Sequence, residues 1–232
     1  MGILEKLVIK NLFVGGECNL FHRGVVIDSF KEGPLEFYQG NLYGFVGEFG
    51  TGGAALSCGL TGNTNFYQGK IFMDDKEISI DELIKNSWYI GNDLYSNKKK
   101  RFFKRKPQRN RDTIKDQIEY GLDKYKMDYD FYTVQRMFNV SNERVIRNIE
   151  FVSGERWKAS AAIGFANEKK IFCYPWLNTW DIDLFGEQMS GTVETLLNHG
   201  CIVILPTTKE ENIEKISSKG HIMQVGQGKM LY

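Results

Sequence analysis

Between Val46 and Leu60 an apolar run stops abruptly in Gly47-Glu48-Phe49-Gly50-Thr51-Gly52-Gly53, and small, apolar residues resume at Ala54-Ala55. Glycines at Gly47, Gly50 and Gly52 let successive backbone N–H groups converge on an anion, and the dipole of a following helix adds to the attraction. A complete phosphate loop also carries a Lys that reaches the β- and γ-phosphates and a Ser/Thr hydroxyl for Mg²⁺. Those two places hold Gly53 and Ala54. The pattern has two readings: a phosphate cradle stripped of its cation and hydroxyl, or a tight turn between a strand and a helix.

Other chemistry-bearing residues give weaker patterns. His22, His199 and His221 lie far apart, without paired-ligand spacing. Cys18, Cys58, Cys173 and Cys201 form no CxxC pair, and three of them sit in apolar runs. They read as small buried hydrophobes in a reducing compartment, not as a disulfide framework. Lys98–Arg111 carries nine basic residues interleaved with Phe102 and Phe103. Phosphate contacts and base stacking are one use for such a run, a solvated loop the commoner one. Asp74-Asp75 reads as a turn.

The elements that would position these residues alternate in type. Leu7–Ile9 and Leu35–Tyr38 are expected as short strands, then the strand Asn41–Val46, the glycine loop and a helix over Ala54–Leu60. Lys70–Met73 is a strand. From Thr113 to Ile149 the period turns helical, with Ile114, Ile118 and Leu122 on one face and Phe131, Val134 and Phe138 on another. Glu155–Ala166 reads as a helix, Lys170–Tyr174 as a buried strand, Thr192–Asn198 as a helix, Ile202–Leu205 as a strand, and Gly220–Tyr232 as two short strands. The expectation is an α/β body with a mostly parallel sheet over residues 1–92 and 151–232, interrupted by a helical subdomain over 93–150. The chain has 232 residues, 42% hydrophobic and 25% charged, enough for a sizeable core. Thirty Lys+Arg against 29 Asp+Glu argues against a chain-wide nucleic-acid binder. No apolar stretch nears the roughly 18 residues that span a bilayer.

In order and spacing the chain resembles the nucleotide-binding (ATP-binding cassette) subunit of ABC transporters over nearly its whole length. Gly47–Gly62 is similar to that family's phosphate-loop helix. Gln68-Gly69-Lys70-Ile71 with Asp74-Asp75 resembles its "SGxIxxDG" hairpin, and Phe151-Val152-Ser153-Gly154-Glu155 its LSGGE signature. The gap-free register sets Val152 on the signature Ser; a slip by one restores Ser153-Gly154 as Ser-Gly. Cys201–Leu205 resembles the strand before the family's switch histidine, and Gln227-Gly228-Lys229-Met230 its C-terminal turn.

The resemblance implies an ABC-type P-loop ATPase core with a helical subdomain, and it also marks what is missing. The residue that senses γ-phosphate and Mg²⁺ falls on Asn92, the Mg²⁺-ligating Asp on Pro175, the water-polarising Glu on Trp176, and the switch His on Thr208. None offers a carboxylate or a base. The loop Gly47, Gly50, Thr51, Gly52, Gly53, Ala54, Ala55 is then a degenerate cradle. No catalytic residue, metal ligand or cofactor of the chain's own is expected, with ATP and Mg²⁺ held only weakly or through a partner's site. The implied role is a non-hydrolysing subunit of a heteromeric ABC transporter, cytoplasmic and peripheral on the inner face of the membrane. It would pair with an active ATPase subunit and dock on a transmembrane subunit. Lys98–Arg111 would touch that subunit or anionic lipid, with nucleic acid the less expected partner. The alternative is a soluble regulatory or scaffold pseudo-ATPase without transport. Phe13 and Phe21 are the two candidates for stacking on adenine.

Overall fold

A computed structural model describes residues 4–20, 24–94, 113–218 and 220–225. In chain order the strands and helices begin with β1 (Lys6–Leu20), β2 (Gly24–Glu32), β3 (Leu35–Tyr38), β4 (Leu42–Val46), α1 (Gly53–Leu60), β5 (Asn65–Met73), β6 (Lys76–Ile78), α2 (Ile80–Asn86) and β7 (Ser87–Tyr89). Then come α3 (Ile114–Tyr125), α4 (Phe131–Met137), α5 (Asn142–Val145) and α6 (Arg156–Ala166). The rest is β8 (Ile171–Cys173), α7 (Thr179–Asn198), β9 (Ile202–Thr207), α8 (Glu210–Ile216) and β10 (Gly220–Gln224). Two compact units result: Gly2–Tyr89 with Lys170–Tyr232, and Ile90–Lys169.

The first unit holds a parallel sheet in the order β10-β4-β9-β8-β7. Its inner strands β4, β8 and β9 are buried at every residue, which is why they read as unbroken apolar runs. Beside the expected parallel sheet stands an antiparallel one, order β2-β1-β5-β6 with β3 on β1. Helix α1 is buried at all eight residues and packs on strands of both sheets. Leu7, Ile9, Phe37, Phe45, Leu56 and Ile204 join there in one core, each large side chain contributing about 1.5–3 kcal/mol by burial. On the other face of the parallel sheet, α8 lies so close to β4 that a Cβ on Gly44 would collide with Ile213. The β5–β6 hairpin turns on Asp74-Asp75, both at positive φ as a two-residue turn requires.

Several elements differ from the sequence reading. The short strand expected at Leu7–Ile9 is a 15-residue strand, its pattern obscured by register shifts on either side of Phe13 and by Asn11 at φ 54°. Helix α7 begins at Thr179, not Thr192, started by a capping box of Asn178 and Asp181. Strand β2, and further on α2, β7 and α8, stand where the sequence reading names no element.

The second unit is helical. Thr113 and Asp116 form a capping box that starts α3, and Ile114, Ile118 and Leu122 are buried along one face. Phe165 of α6 meets Phe138 and Tyr129, with ring centroids 5.5 and 5.6 Å apart, and Asn167 Nδ2 donates to the Gln117 carbonyl at 3.3 Å. These contacts group α6 with the helices, so this unit runs on to Lys169, whereas the sequence division ends the subdomain at residue 150. Lys98–Arg111, Phe21, His22 and the Gln227–Met230 turn lie outside the described residues.

Candidate functional site

The glycine loop sits at the C-terminal end of central strand β4 and runs into α1. Gly47 N–H donates to the Thr207 carbonyl at 2.9 Å, tying the start of the loop to β9. Thr51 folds back, its N–H and Oγ1 both donating to the Glu48 carbonyl, at 3.2 and 2.7 Å. Gly50 is exposed, while Gly52, Gly53, Ala54 and Ala55 are buried. Gly52 caps the helix at φ 112°, where a side chain would be strained, and it offers no capping oxygen of its own. The cap comes from Asp28 of β2, whose Oδ2 accepts from the Ala55 N–H at 3.0 Å.

Position 53 is where a phosphate-binding Lys would stand, and the structure leaves it no room. A Cβ on Gly53 would lie 2.8 Å from the Pro206 Cβ and 3.2 Å from the Trp176 Cδ1. Trp176 is 5% exposed. Its Nε1 donates to the Gly47 carbonyl at 3.1 Å, and its ring meets Phe49 edge-on at 5.1 Å. The indole spans the loop from first glycine to helix start. Pro175 is buried beside it, directly after β8 and Tyr174.

Thr208 follows β9 and enters a hydroxyl–amide network. Its Oγ1 lies 3.3 Å from the Thr179 Oγ1 and accepts from the Asn212 Nδ2 at 3.2 Å. The same amide donates to the Thr207 Oγ1 at 2.8 Å, and that hydroxyl donates to the Leu177 carbonyl at 2.7 Å. The network joins the end of β9 to α7 and α8 without a titratable group. Phe13 packs against Tyr67 at 4.9 Å, and Phe21, the other adenine candidate, is among the undescribed residues.

Asn92 and the signature-like segment belong to the helical unit. The Asn92 carbonyl accepts from the Ser160 Oγ at 2.7 Å, and the same Oγ accepts from the Gly91 N–H, so this stretch is fastened to α6. Val152 is fully buried, whereas Ser153 and Gly154 are exposed in a 3-10 turn leading into α6. Ser153 stands at φ 21°, and a Cβ on Gly154 would meet nothing within 4 Å. Glu155 turns inward, its Oε2 accepting from the Ser141 N–H at 2.9 Å. Of these four, Ser153 and Gly154 are the exposed ones.

No protein-family model matches the chain, and no curated protein matches it either. Solved structures do. A putative ABC transporter ATP-binding protein from Pyrococcus furiosus superposes with a TM-score of 0.60 at 14% identity, over 95% of this chain and 97% of that one. CbiO1 from Clostridium perfringens, part of the ABC transporter complex CbiONQ, gives 0.61 at 15% identity, over 97% and 87%. A dimeric ATP-binding cassette in a post-hydrolysis state, bound to ADP and Pi, gives 0.62 at 16% identity, over 97% of each. The chain has the ABC ATP-binding-subunit fold.

The residues of this loop and strand end do not fit a Mg²⁺-nucleotide. Gly53, Ala54, Pro175 and Trp176 supply neither cation, hydroxyl nor carboxylate, and the space at position 53 is already taken. Among the described residues no group of three or more His, Cys, Asp or Glu is arranged to hold a metal. Nor is any described helix long and apolar enough to cross a membrane. Asp28, Pro206 and Asn212 are the residues that the sequence did not announce. Each acts on a group distant in the chain or on a neighbour's hydroxyl, and no local pattern records that.

Proposed function

We propose that the chain is a catalytically degenerate ATP-binding-cassette subunit of a heteromeric ABC transporter. It pairs with an active ATPase subunit and docks on a transmembrane subunit at the inner face of the membrane. The observation that carries this reading is the Trp176 indole, bonded to Gly47 and packed on Gly53 inside an otherwise ordered ABC-type fold. Phosphoryl transfer depends almost wholly on positioning and electrostatics, and here the positions for Lys, Mg²⁺ ligand and base are filled by groups that supply neither. The exposed Ser153 and Gly154 at the start of α6 support a remaining task, facing a phosphate held by the partner subunit.

Co-expression with candidate active cassettes and membrane subunits tests the proposal. Detergent extraction should recover this chain with the membrane partner. ATPase activity of the complex should survive Trp176→Phe here and vanish when the partner's catalytic carboxylate is removed. Recovery of the chain from the soluble fraction alone, without a membrane partner, would instead favour a scaffold role.

A further inference from the structure

We infer that the phosphate cradle is liganded from within: the Asp28 carboxylate occupies the anion position at the N-terminus of α1 and closes it to nucleotide. This deepens the proposal above and rests on its reading of Gly47–Ala55 as a phosphate loop.

Asp28 lies on β2, an edge strand of the antiparallel sheet, and is 4% exposed. A carboxylate buried to that degree needs hydrogen-bond donors. Among the described residues it has two: Oδ2 accepts from the Ala55 N–H and Oδ1 from the Ser29 N–H, both at 3.0 Å. Ala55 is the third residue of α1, and its amide is one of the donors that a helix N-terminus leaves without an internal partner. In a working phosphate loop these amides cradle the nucleotide phosphates. The helix has no local alternative, since its N-cap is a glycine and no acidic residue stands in its first turn.

The strand bearing Asp28 presses directly on the loop. A Cβ on Gly52 would lie 2.9 Å from the Ser29 carbonyl oxygen and 3.0 Å from the Phe30 ring. A Cβ on Gly15, in β1, would likewise lie 2.9 Å from the Ser29 Cβ. Glycines at 15 and 52 thus let β2 reach the helix. One side of the cradle is shut by Asp28, Ser29 and Phe30, the other by Trp176 and Pro206. A phosphate cannot take the Ala55 amide without displacing a like charge, and Asp28 cannot leave without moving β2.

Thermal unfolding of the full chain in rising inorganic pyrophosphate, at constant ionic strength, tests this. The wild-type midpoint should show no rise beyond the chloride control. Asp28→Ala should start lower, having lost its cap, and then rise with pyrophosphate, with apparent binding at least tenfold tighter than wild type. Asp28→Asn keeps an acceptor for the Ala55 amide and so protects the fold, but removes the charge; it should respond to a smaller extent. Trp176→Ala alone, with the carboxylate in place, should not respond. A wild-type response equal to that of Asp28→Ala overturns the inference, as does a folded Asp28→Asn that gains nothing. Neither result bears on recovery with a membrane partner, so the transporter reading stands or falls separately.

Discussion

Replacing Gly53 asks whether the lysine position has truly been built over. An alanine there puts a methyl group 2.8 Å from the Pro206 Cβ and 3.2 Å from the Trp176 Cδ1. Both neighbours are buried, Pro206 within β9 and Trp176 against the loop, so neither can yield toward solvent. Overpacking of this kind costs about 1–3 kcal/mol. Exchanging Gly for Ala at the start of a helix returns at most about 1 kcal/mol, because φ at this position is ordinary. The expected net loss is about 1 kcal/mol for Gly53→Ala and about 3 kcal/mol for Gly53→Lys, whose whole side chain must pass the indole. At about 2–4 °C per kcal/mol for a chain of this size, Gly53→Ala should melt a few degrees lower. Calorimetry on the full chain reads this, and the same substitution in a Trp176→Ala background should cost at least about 0.5 kcal/mol less, since the residues are in contact. A Gly53→Lys chain that melts like wild type and binds MgATP would refute the reasoning.

Trp176→Ala removes a buried indole and its bond to Gly47, and should cost about 3–5 kcal/mol in denaturant midpoint times slope, whereas Trp176→Phe keeps most of the packing and should cost about 1–2 kcal/mol. Asn212→Ala leaves the Thr207 and Thr208 hydroxyls without their amide donor and should lower stability by about 2 kcal/mol, with faster amide exchange at the start of α8. Thr113→Ala breaks the capping box of α3 and should cost about 1 kcal/mol, visible as lost helical dichroism on mild heating. Burial pushes the Cys201 thiol from its ordinary 9.0 up to about 12, and the Cys173 thiol higher still. Between pH 9 and 12 the unfolded chain therefore loses protons that the folded chain keeps, and stability should be intact below pH 9 and fall as pH rises toward 12. A flat stability profile over that range would contradict the burial of these thiols, as would their alkylation at pH 8 in the folded chain.

Much of the parallel sheet was legible because its strands are buried on both faces and show as uninterrupted apolar runs, as at Ile202–Leu205. Helix α3 was legible for the complementary reason, a helical stripe at Ile114, Ile118 and Leu122 that the structure buries. The antiparallel sheet was legible in part: Leu7–Ile9, Leu35–Tyr38 and Lys70–Met73 read as strands, while β2 did not stand out. Strand β2 puts Val25 and Ile27 into solvent and Asp28 into the core, the reverse of the usual alternation. The length of α7 was hidden by Gly186, Gly191 and the acidic residues of its first half. At the candidate site, the glycine spacing placed the loop on the strand end and helix start that the structure has. The sequence could name Pro175 and Trp176 as lacking carboxylates. It could not say that Trp176 reaches back 129 residues to the Gly47 carbonyl, or that Asp28 reaches forward 27 to the Ala55 amide.

The contact of Gly53 with Pro206 and Trp176 has a consequence on the scale of sequence change. Any path from this loop to one bearing a lysine must alter position 53 and both of its neighbours. Each single step, an inserted side chain without space or a space without its filler, lies below either end in stability. Proteins hold only about 5–15 kcal/mol in reserve, and two such steps taken in the wrong order consume much of it. The packing therefore works as a ratchet: random substitution can vary the surface of this fold freely while its loop stays confined to glycine.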